Sequence, residues 1–155
     1  MAREIVIVWA GRHRRRAWEE LCADYRERIR RRIALREVAV KARRAGEGAA
    51  RRREEGAALV AALPEPCWPI ALDARGEALS SEALAAELDR LRREWPHPVA
   101  FLIGSDAGLD RAVLERARRV LSFGPMTLSH ELARLVLYEQ LYRALDIAAA
   151  GRYHK

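Results

Sequence analysis

The most constraining feature of this sequence is a repeated alternation of short apolar runs with helical segments. Five runs have the length and composition of strands. They span residues 4–9 (EIVIVW), 35–40 (LREVAV), 67–72 (CWPIAL), 99–103 (VAFLI) and 120–123 (VLSF). Because helical segments follow these runs, the chain is predicted to be an α/β protein with a mostly parallel five-stranded sheet flanked by helices. The alternating run 35–40 is expected to be less buried than the others.

The helical segments carry clear boundary and periodicity signals. Trp18, Leu21, Cys22, Tyr25 and Ile29 form one apolar stripe on the first helix. A second helix is predicted from about residue 47 to 63. It follows a basic stretch beginning KARRAGEG, which reads as a mobile loop. Residues 73–76 (DARG) read as a turn that ends the third strand, Ser80 or Ser81 as the cap of the next helix, and Asp110 as another helix start.

The final predicted helix runs from about residue 130 to 148 and is apolar around most of its circumference. Such a helix is expected to be buried on more than one side, which in a small domain predicts a subunit interface and hence a homodimer. Glu139 and Arg143, spaced i and i+4, are expected to pair on the remaining surface.

Length and cysteine usage limit the class of protein. A chain of 155 residues has the usual size of one domain, so residues 1–155 are expected to form a single domain. No apolar run approaches the roughly 20 residues of a membrane span, and the first run is too short for a secretory signal, so a cytoplasmic location is expected. Cys22 and Cys67 lack metal-ligand spacing, which predicts buried free thiols and no metal site.

Positive charge is concentrated between residues 12 and 53. The whole chain has a formal net charge of +7, whereas this stretch holds sixteen Lys and Arg against six acidic residues, a net of +10. The remainder therefore carries −3. This asymmetry favours a large polyanionic partner such as RNA. The alternative is a basic surface that faces only solvent.

Two loops follow the fourth and fifth predicted strands. The first begins at Gly104 and continues through Ser105, Asp106 and Gly108, and the second is FGPMTL at 123–128. The carboxyl edge of a parallel sheet is where open α/β proteins bind ligands, so the two loops are predicted to form a crevice there, side by side. Apolar side chains and free backbone groups in FGPMTL suit an adenine ring. Alternatively, both loops are ordinary turns and Met126 fills the core.

Three spaced motifs carry a family resemblance. They are FLIG-x-x-x-G-L at 101–109, LSFGPMTLSHELARLVLYEQLYRA at 121–144, and the terminal YHK. Together they resemble the ribosomal large subunit methyltransferase H family, whose members are small SPOUT-type methyltransferases. The likeness extends over the whole chain and is densest from residue 101 onward. It implies a trefoil knot in the C-terminal part of the α/β fold.

The resemblance also implies an activity. Members of the family transfer a methyl group from S-adenosylmethionine to 23S rRNA, at N3 of pseudouridine 1915, and the assembled ribosome is the expected substrate. Carried over by position, the residues expected to bind the methyl donor are Leu72, Gly104, Phe123, Gly124, Pro125, Met126, Thr127 and Leu128.

The resemblance further places Arg143, Tyr153 and His154 at the target nucleotide. The attacking ring nitrogen bears a proton at neutral pH, and histidine is the side chain best suited to accept one there. His154 is therefore expected to be the general base, Tyr153 to stack on or orient the nucleobase, and Arg143 to stabilise negative charge. The alternative is that the tail only becomes ordered around bound RNA. His130, in a helix's first turn, is either structural or a ligand contact.

Two positions depart from the usual family pattern. Ser105 stands where the family has a second glycine, and Ser129 stands where it commonly has proline. Ser105 adds a Cβ and a hydroxyl near the expected ligand path, whereas Ser129 can cap the helix that follows. These departures motivate a rival hypothesis, a non-enzymatic RNA- or ribosome-binding module that retains the fold. A nucleotide hydrolase is disfavoured because no lysine follows the glycine turn.

Overall fold

Strands and helices alternate along the whole described chain. The computed structural model describes residues 4–12, 14–41 and 48–155. The elements are β1 Glu4–Ala10, α1 Arg16–Arg30, β2 Ala34–Val40, α2 Gly48–Ala61, β3 Trp68–Ala78, α3 Ser81–Glu94, β4 Val99–Ile103, α4 Arg111–Arg116, β5 Arg119–Ser122 and α5 His130–Ala148. The predicted α/β alternation is confirmed, and the predicted loop between β2 and α2 lies largely outside the described residues.

The five strands form one sheet in the order β2-β1-β4-β3-β5. All four strand pairs are parallel, so the predicted fold class is confirmed. The central strands β1 and β4 are covered on both faces, which is why their sequences are continuously apolar. The edge strand β2 is less buried than the other strands, as its sequence predicts, and Leu35 is its one buried residue.

Successive residues of β1 point to opposite faces of the sheet. Ile5, Ile7 and Trp9 belong to a core shared with α1, α3 and α5. Val6 and Val8 belong to a second core shared with α2 and α4. Helices therefore cover both faces of the sheet, and its carboxyl edge is left accessible to loops.

Three helices begin with side-chain caps at predicted positions. Ser80 Oγ accepts a hydrogen bond from the Ala83 amide at the start of α3. Asp110 and Ser129 accept in the same way at the starts of α4 and α5. Each such cap typically contributes about 1 kcal/mol. Ser129 therefore replaces the proline of the usual family pattern with a working N-cap.

The third strand differs from the prediction that it ends at Leu72. It extends to Ala78, and its register on β5 jumps, since Leu72 and Glu77 both pair with Leu121. Residues 73–76 bulge out between these two positions as the predicted local turn, with the Asp73 carboxylate accepting from the Arg75 amide at 2.9 Å. The strand resumes because Gly76 has no Cβ, which would lie 2.5 Å from the Val120 carbonyl oxygen.

Smaller differences concern boundaries and one side chain. Strand β5 begins and ends one residue earlier than predicted, and α2, which is described from residue 48 onward, ends at residue 61 rather than 63. Leu21, predicted on the buried stripe of α1, is 49% exposed, whereas Cys22 and Ile29 of that stripe are fully buried. Both cysteines are free, and burial raises the pKa of the Cys22 thiol to about 11.

Helix α5 lies between α1 and α3, which explains much of its apolar circumference. Leu137 and Leu141 are completely buried in the core. Leu128, Leu132 and Val136 follow one another at four-residue steps and are only partly covered. The predicted homodimer stays a prediction, as do the knot and the single domain over residues 1–155. Within the described residues, no helix is long and apolar enough to cross a bilayer.

Candidate active site

A cavity of about 390 Å³ opens at the carboxyl ends of β4 and β5, beside the bulge in the middle of β3. The loops after β4 and β5 form opposite walls, and the first turn of α5 closes one side. The sequence predicts these two loops side by side, but β3 lies between their strands in the sheet. The middle of β3, where the bulge begins after Leu72, therefore forms the floor of the crevice.

Seven of the eight residues predicted to bind a methyl donor line this cavity. They are Leu72, Gly104, Phe123, Gly124, Met126, Thr127 and Leu128. Pro125 belongs to the same loop but does not line the cavity. The alternative that Met126 fills the core is wrong, because this residue is 80% exposed.

The glycine turn after β4 is held from behind by α2. Ser105 is buried, and its hydroxyl donates to the Glu55 carboxylate at 2.5 Å. Glu55, only 2% exposed, also accepts from Arg51 Nε at 3.0 Å. The Arg51 Nη2 group reaches Asp106 at 2.7 Å. The departure at Ser105 therefore ties the turn to α2.

The charge of Asp106 is set by the same contacts. Burial opposes its ionised form, but the hydrogen bond and positive charge of Arg51 outweigh this effect and lower the pKa of Asp106. The helix approaches the turn closely, since a Cβ on Gly56 would lie 3.0 Å from the Asp110 Cβ. Sequence reasoning missed Glu55, because nothing in the local pattern shows which of the adjacent acids Glu54 and Glu55 is buried.

We expect Glu55→Ala to lower the midpoint of thermal unfolding by about 5 °C or more. The substitution removes a buried acceptor and leaves the Ser105 hydroxyl, also buried, without that partner. Glu115→Ala is the matched control, since Glu115 makes only a surface pair with Arg111 and such pairs contribute little. Equal midpoints for the two variants in a calorimetric scan would contradict the role assigned to Glu55.

The second loop has a backbone shape that only glycine adopts readily. Gly124 has φ +112, and a Cβ there would meet nothing within 4 Å. Ser122 Oγ accepts from the Gly124 amide at 3.0 Å and donates to its carbonyl at 3.1 Å. The loop is thus rigidly folded at its start, while its apolar residues Phe123 and Leu128 contribute to the cavity wall.

Two further cavity residues, Asp73 and His130, carry polar groups. Asp73 hydrogen-bonds Arg75, and this bond lowers the pKa of its carboxyl, so it is charged at neutral pH. Sequence reasoning assigned Asp73 to a turn and left the role of His130 open. The structure places His130 on the cavity, with its ring 3.4 Å from where a Cβ on Gly11 would lie.

The three predicted catalytic residues lie together at the other end of α5. Arg143 pairs with Glu139, as predicted, and its Nη1 lies 3.2 Å from His154 Nδ1. The second imidazole nitrogen, Nε2, is 2.8 Å from the Glu82 carboxylate at the start of α3. Tyr153 donates to Glu139 at 3.1 Å. The imidazole is therefore oriented through both of its nitrogens.

Tyr153 is built into this cluster as a neutral phenol. Burial is the largest cause of its raised pKa, and hydrogen bonds to Tyr25 and Glu139 raise it further. Its ring contacts Tyr142 edge to face at 4.8 Å between centroids. Its amide donates to Asp146, which also binds Arg32. Tyr153 is thus suited to orient a substrate and unsuited to act as a base.

The three predicted catalytic residues and the cavity are far apart within one chain. His130 lines the cavity, and Arg143 lies thirteen residues further along α5. At the rise of an α-helix this separation is about 20 Å. None of Arg143, Tyr153 and His154 lines the cavity. Within the described residues, no group of acidic, histidine or cysteine side chains is arranged to hold a metal ion.

Comparison with known proteins places this geometry in context. The family model described as "Predicted SPOUT methyltransferase" matches residues 3–154. The ribosomal RNA large subunit methyltransferase H of Solidesulfovibrio magneticus is 42% identical over 148 residues, covering 96% of each chain. The protein of that name from Gluconacetobacter diazotrophicus is 43% identical over 154 residues, covering 96% of this chain and 95% of its own. A solved complex of the SpoU methyltransferase AviRb from Streptomyces viridochromogenes with AdoMet aligns with a TM-score of 0.48 at 15% identity, over 98% of this chain and 60% of that one.

Proposed function

The chain belongs to the SPOUT methyltransferase family, and from this premise we propose that it methylates large-subunit ribosomal RNA with S-adenosylmethionine as donor. The relatives named as rRNA methyltransferases match it over nearly its whole length. The finer proposal is that the acceptor is N3 of a pseudouridine in 23S rRNA, within the assembled ribosome. Residues 1–155 act as one domain in this proposal, and a cytoplasmic location follows from the substrate.

The cavity fits the methyl donor in size and chemistry. It combines apolar side chains such as Leu72, Phe123 and Leu128 with backbone groups of two glycine turns. Such lining suits an adenine ring held by backbone hydrogen bonds. The Asp73 carboxylate on the same wall can accept hydrogen bonds from ribose hydroxyls. When bound, the donor supplies an already activated methyl group, so the protein's task is to position the acceptor and move one proton.

The cluster at the tail is equipped for that proton transfer. His154 accepts the ring proton of the acceptor nucleotide at Nδ1, as Arg143 turns from that nitrogen to the nucleobase, while Glu82 holds the imidazole by accepting from Nε2–H. Glu82 keeps its negative charge, because hydrogen bonds from its own amide and from His154 lower its pKa. Arg143 is placed to stabilise negative charge on the deprotonated base, and Tyr153 to orient that base.

A homodimer brings the two halves of this site together. The tail of one chain cannot serve its own cavity across about 20 Å of helix, so the cavity of one protomer is completed by the tail of its partner. The partly covered row of Leu128, just before α5, and Leu132 and Val136 on that helix is available for the subunit contact. Two-fold symmetric dimers build two identical composite sites of this kind.

The proposal is tested by two measurements on the purified protein. Calorimetric titration should show saturable binding of S-adenosylmethionine. Labelled methyl groups should then pass to ribosomes that lack this modification, and free 23S rRNA should accept them more slowly. Binding of ribosomes without any transfer would support the rival reading as a non-enzymatic module. The membership in a methyltransferase family and the cavity of about 390 Å³ both favour the enzyme.

A further inference from the structure

A second cavity, of about 430 Å³, lies beside the first one. It opens at the carboxyl ends of β1 and β2 and shares Ser105, Asp106 and His130 with the first cavity. The carboxyl edge of a parallel sheet is the usual place for ligands, so this second cavity is well placed to contribute to the same reaction. Neither the predicted donor residues nor the tail cluster uses it.

Cationic side chains dominate the lining of this second cavity. Arg12, Arg14, Lys41 and Arg51 all contribute to it, together with His130. Asp106 is the one acidic residue among the lining residues, and Arg51 already neutralises it at 2.7 Å. The cavity lining therefore carries an excess of positive charge. This excess comes from Arg12, Arg14 and Lys41, because the charge of Arg51 is balanced by Asp106.

Those three cations lack a carboxylate partner in the described part of the chain, unlike several arginines of the same basic stretch. Arg16, Arg26, Arg28 and Arg30 are each bound to a carboxylate. Arg12, Arg14 and Lys41, in contrast, have no carboxylate partner among the residues that the structure describes. Only the backbone amide of Arg14 is engaged, by Glu131 at 2.9 Å. Cations that converge unpaired on a cavity are suited to an anionic ligand rather than to structural pairing.

We propose that this second cavity is a phosphate subsite, which takes a backbone phosphodiester of the RNA next to the methylated nucleotide. The inference rests on the proposed function for the identity of the RNA. Arg12, Arg14 and Lys41 bind the phosphate, and the shared wall of Ser105, Asp106 and His130 sets its distance from the donor cavity. Gly11, which follows β1, lies close to His130, and a Cβ at this position would be 3.4 Å from the imidazole ring. Its φ of +120 also disfavours any residue with a side chain.

The shared wall also links the two cavities physically. Arg51 lines the phosphate subsite and, through Glu55 and Asp106, holds the glycine turn of the donor cavity. A phosphate bound at the subsite thus lies against the same guanidinium that holds this turn in place. Ligand binding in one cavity can therefore affect the other cavity through the Arg51 side chain.

The test compares a triple variant with a matched control. Arg12→Ala, Arg14→Ala and Lys41→Ala are combined, and the control combines Arg31→Ala, Arg52→Ala and Arg53→Ala, which remove equal charge from exposed positions in the same stretch. Binding to unmodified ribosomes is measured over a range of salt concentrations. The subsite variant should bind roughly tenfold or more weakly, and its salt slope should fall by about 0.7 to 0.9, the change expected when the contact with one phosphate is lost.

Three outcomes would overturn the inference. The first is an equal loss in the control, which would make the effect one of net charge. The second is an unchanged ribosome affinity in the subsite variant. The third is displacement of ribosomes by uridine monophosphate well below about 1 mM, which would indicate a site for free mononucleotides. Unchanged affinity for S-adenosylmethionine shows that the variant is folded. Failure of the proposed function can be distinguished from failure of the phosphate subsite, since the wild-type protein would then transfer no methyl group at all.

Discussion

His154→Ala should lower the single-turnover rate of methyl transfer by roughly a hundredfold or more, the usual contribution of a positioned general base. In the structure both imidazole nitrogens are engaged, one by Arg143 and the other by Glu82. That arrangement fixes the ring while leaving it close to the molecular surface. The measurement uses saturating ribosomes and saturating donor, so that a change in affinity does not appear as a change in rate.

A second histidine provides the control for this experiment. His97 contacts Trp95, at the end of α3 opposite to Glu82, so His97→Ala should leave the rate unchanged. Glu82→Gln keeps a hydrogen-bonding group beside the imidazole but removes the charge, and we expect an intermediate loss. A rate for His154→Ala within about threefold of wild type would exclude it as the base. Weaker binding at an unchanged rate would assign the tail to substrate binding.

Mixing two inactive variants should restore activity if the site is shared between protomers. Gly104→Val damages the donor cavity, because its Cβ would meet the Gly108 carbonyl oxygen and Leu109 at 3.0 Å. His154→Ala damages the tail. In a mixed dimer, one site combines the intact cavity of one chain with the intact tail of the other. Random exchange of equal amounts then recovers about a quarter of wild-type activity, since half of the dimers carry one complete site.

The result depends on where the tail acts. If cavity and tail of the same chain worked together, every site in the mixture would carry one defect, and no activity would return. Each variant is first examined alone for helical content by circular dichroism and for its mass in solution by light scattering. A wild-type protein that is monomeric at micromolar concentration and fully active would refute the shared site.

The sequence by itself was sufficient for the elements and their class. Strand-length apolar runs, the caps Ser80, Asp110 and Ser129, and the glycine turns are local signals, and the structure places each close to its predicted position. The family motifs predicted a methyl-donor site at these loops, and seven of the eight residues carried over from the family line one cavity. Local signals succeed here because caps and burial periodicity depend on neighbours within one or two turns.

Contacts between residues distant in sequence were decided only by the tertiary structure. Strand order puts β3 between the two glycine loops, and the β3 bulge places Asp73 on the cavity wall. Glu55 and Ser105 meet across fifty residues, and Glu82 and His154 across seventy-two. The local sequence does not distinguish such side chains from solvated ones. Their positions are stabilised by burial and by pairing with groups that only the folded chain brings together. The separation of cavity and tail along α5 belongs to the same class, since it follows from which end of one rigid helix each region contacts.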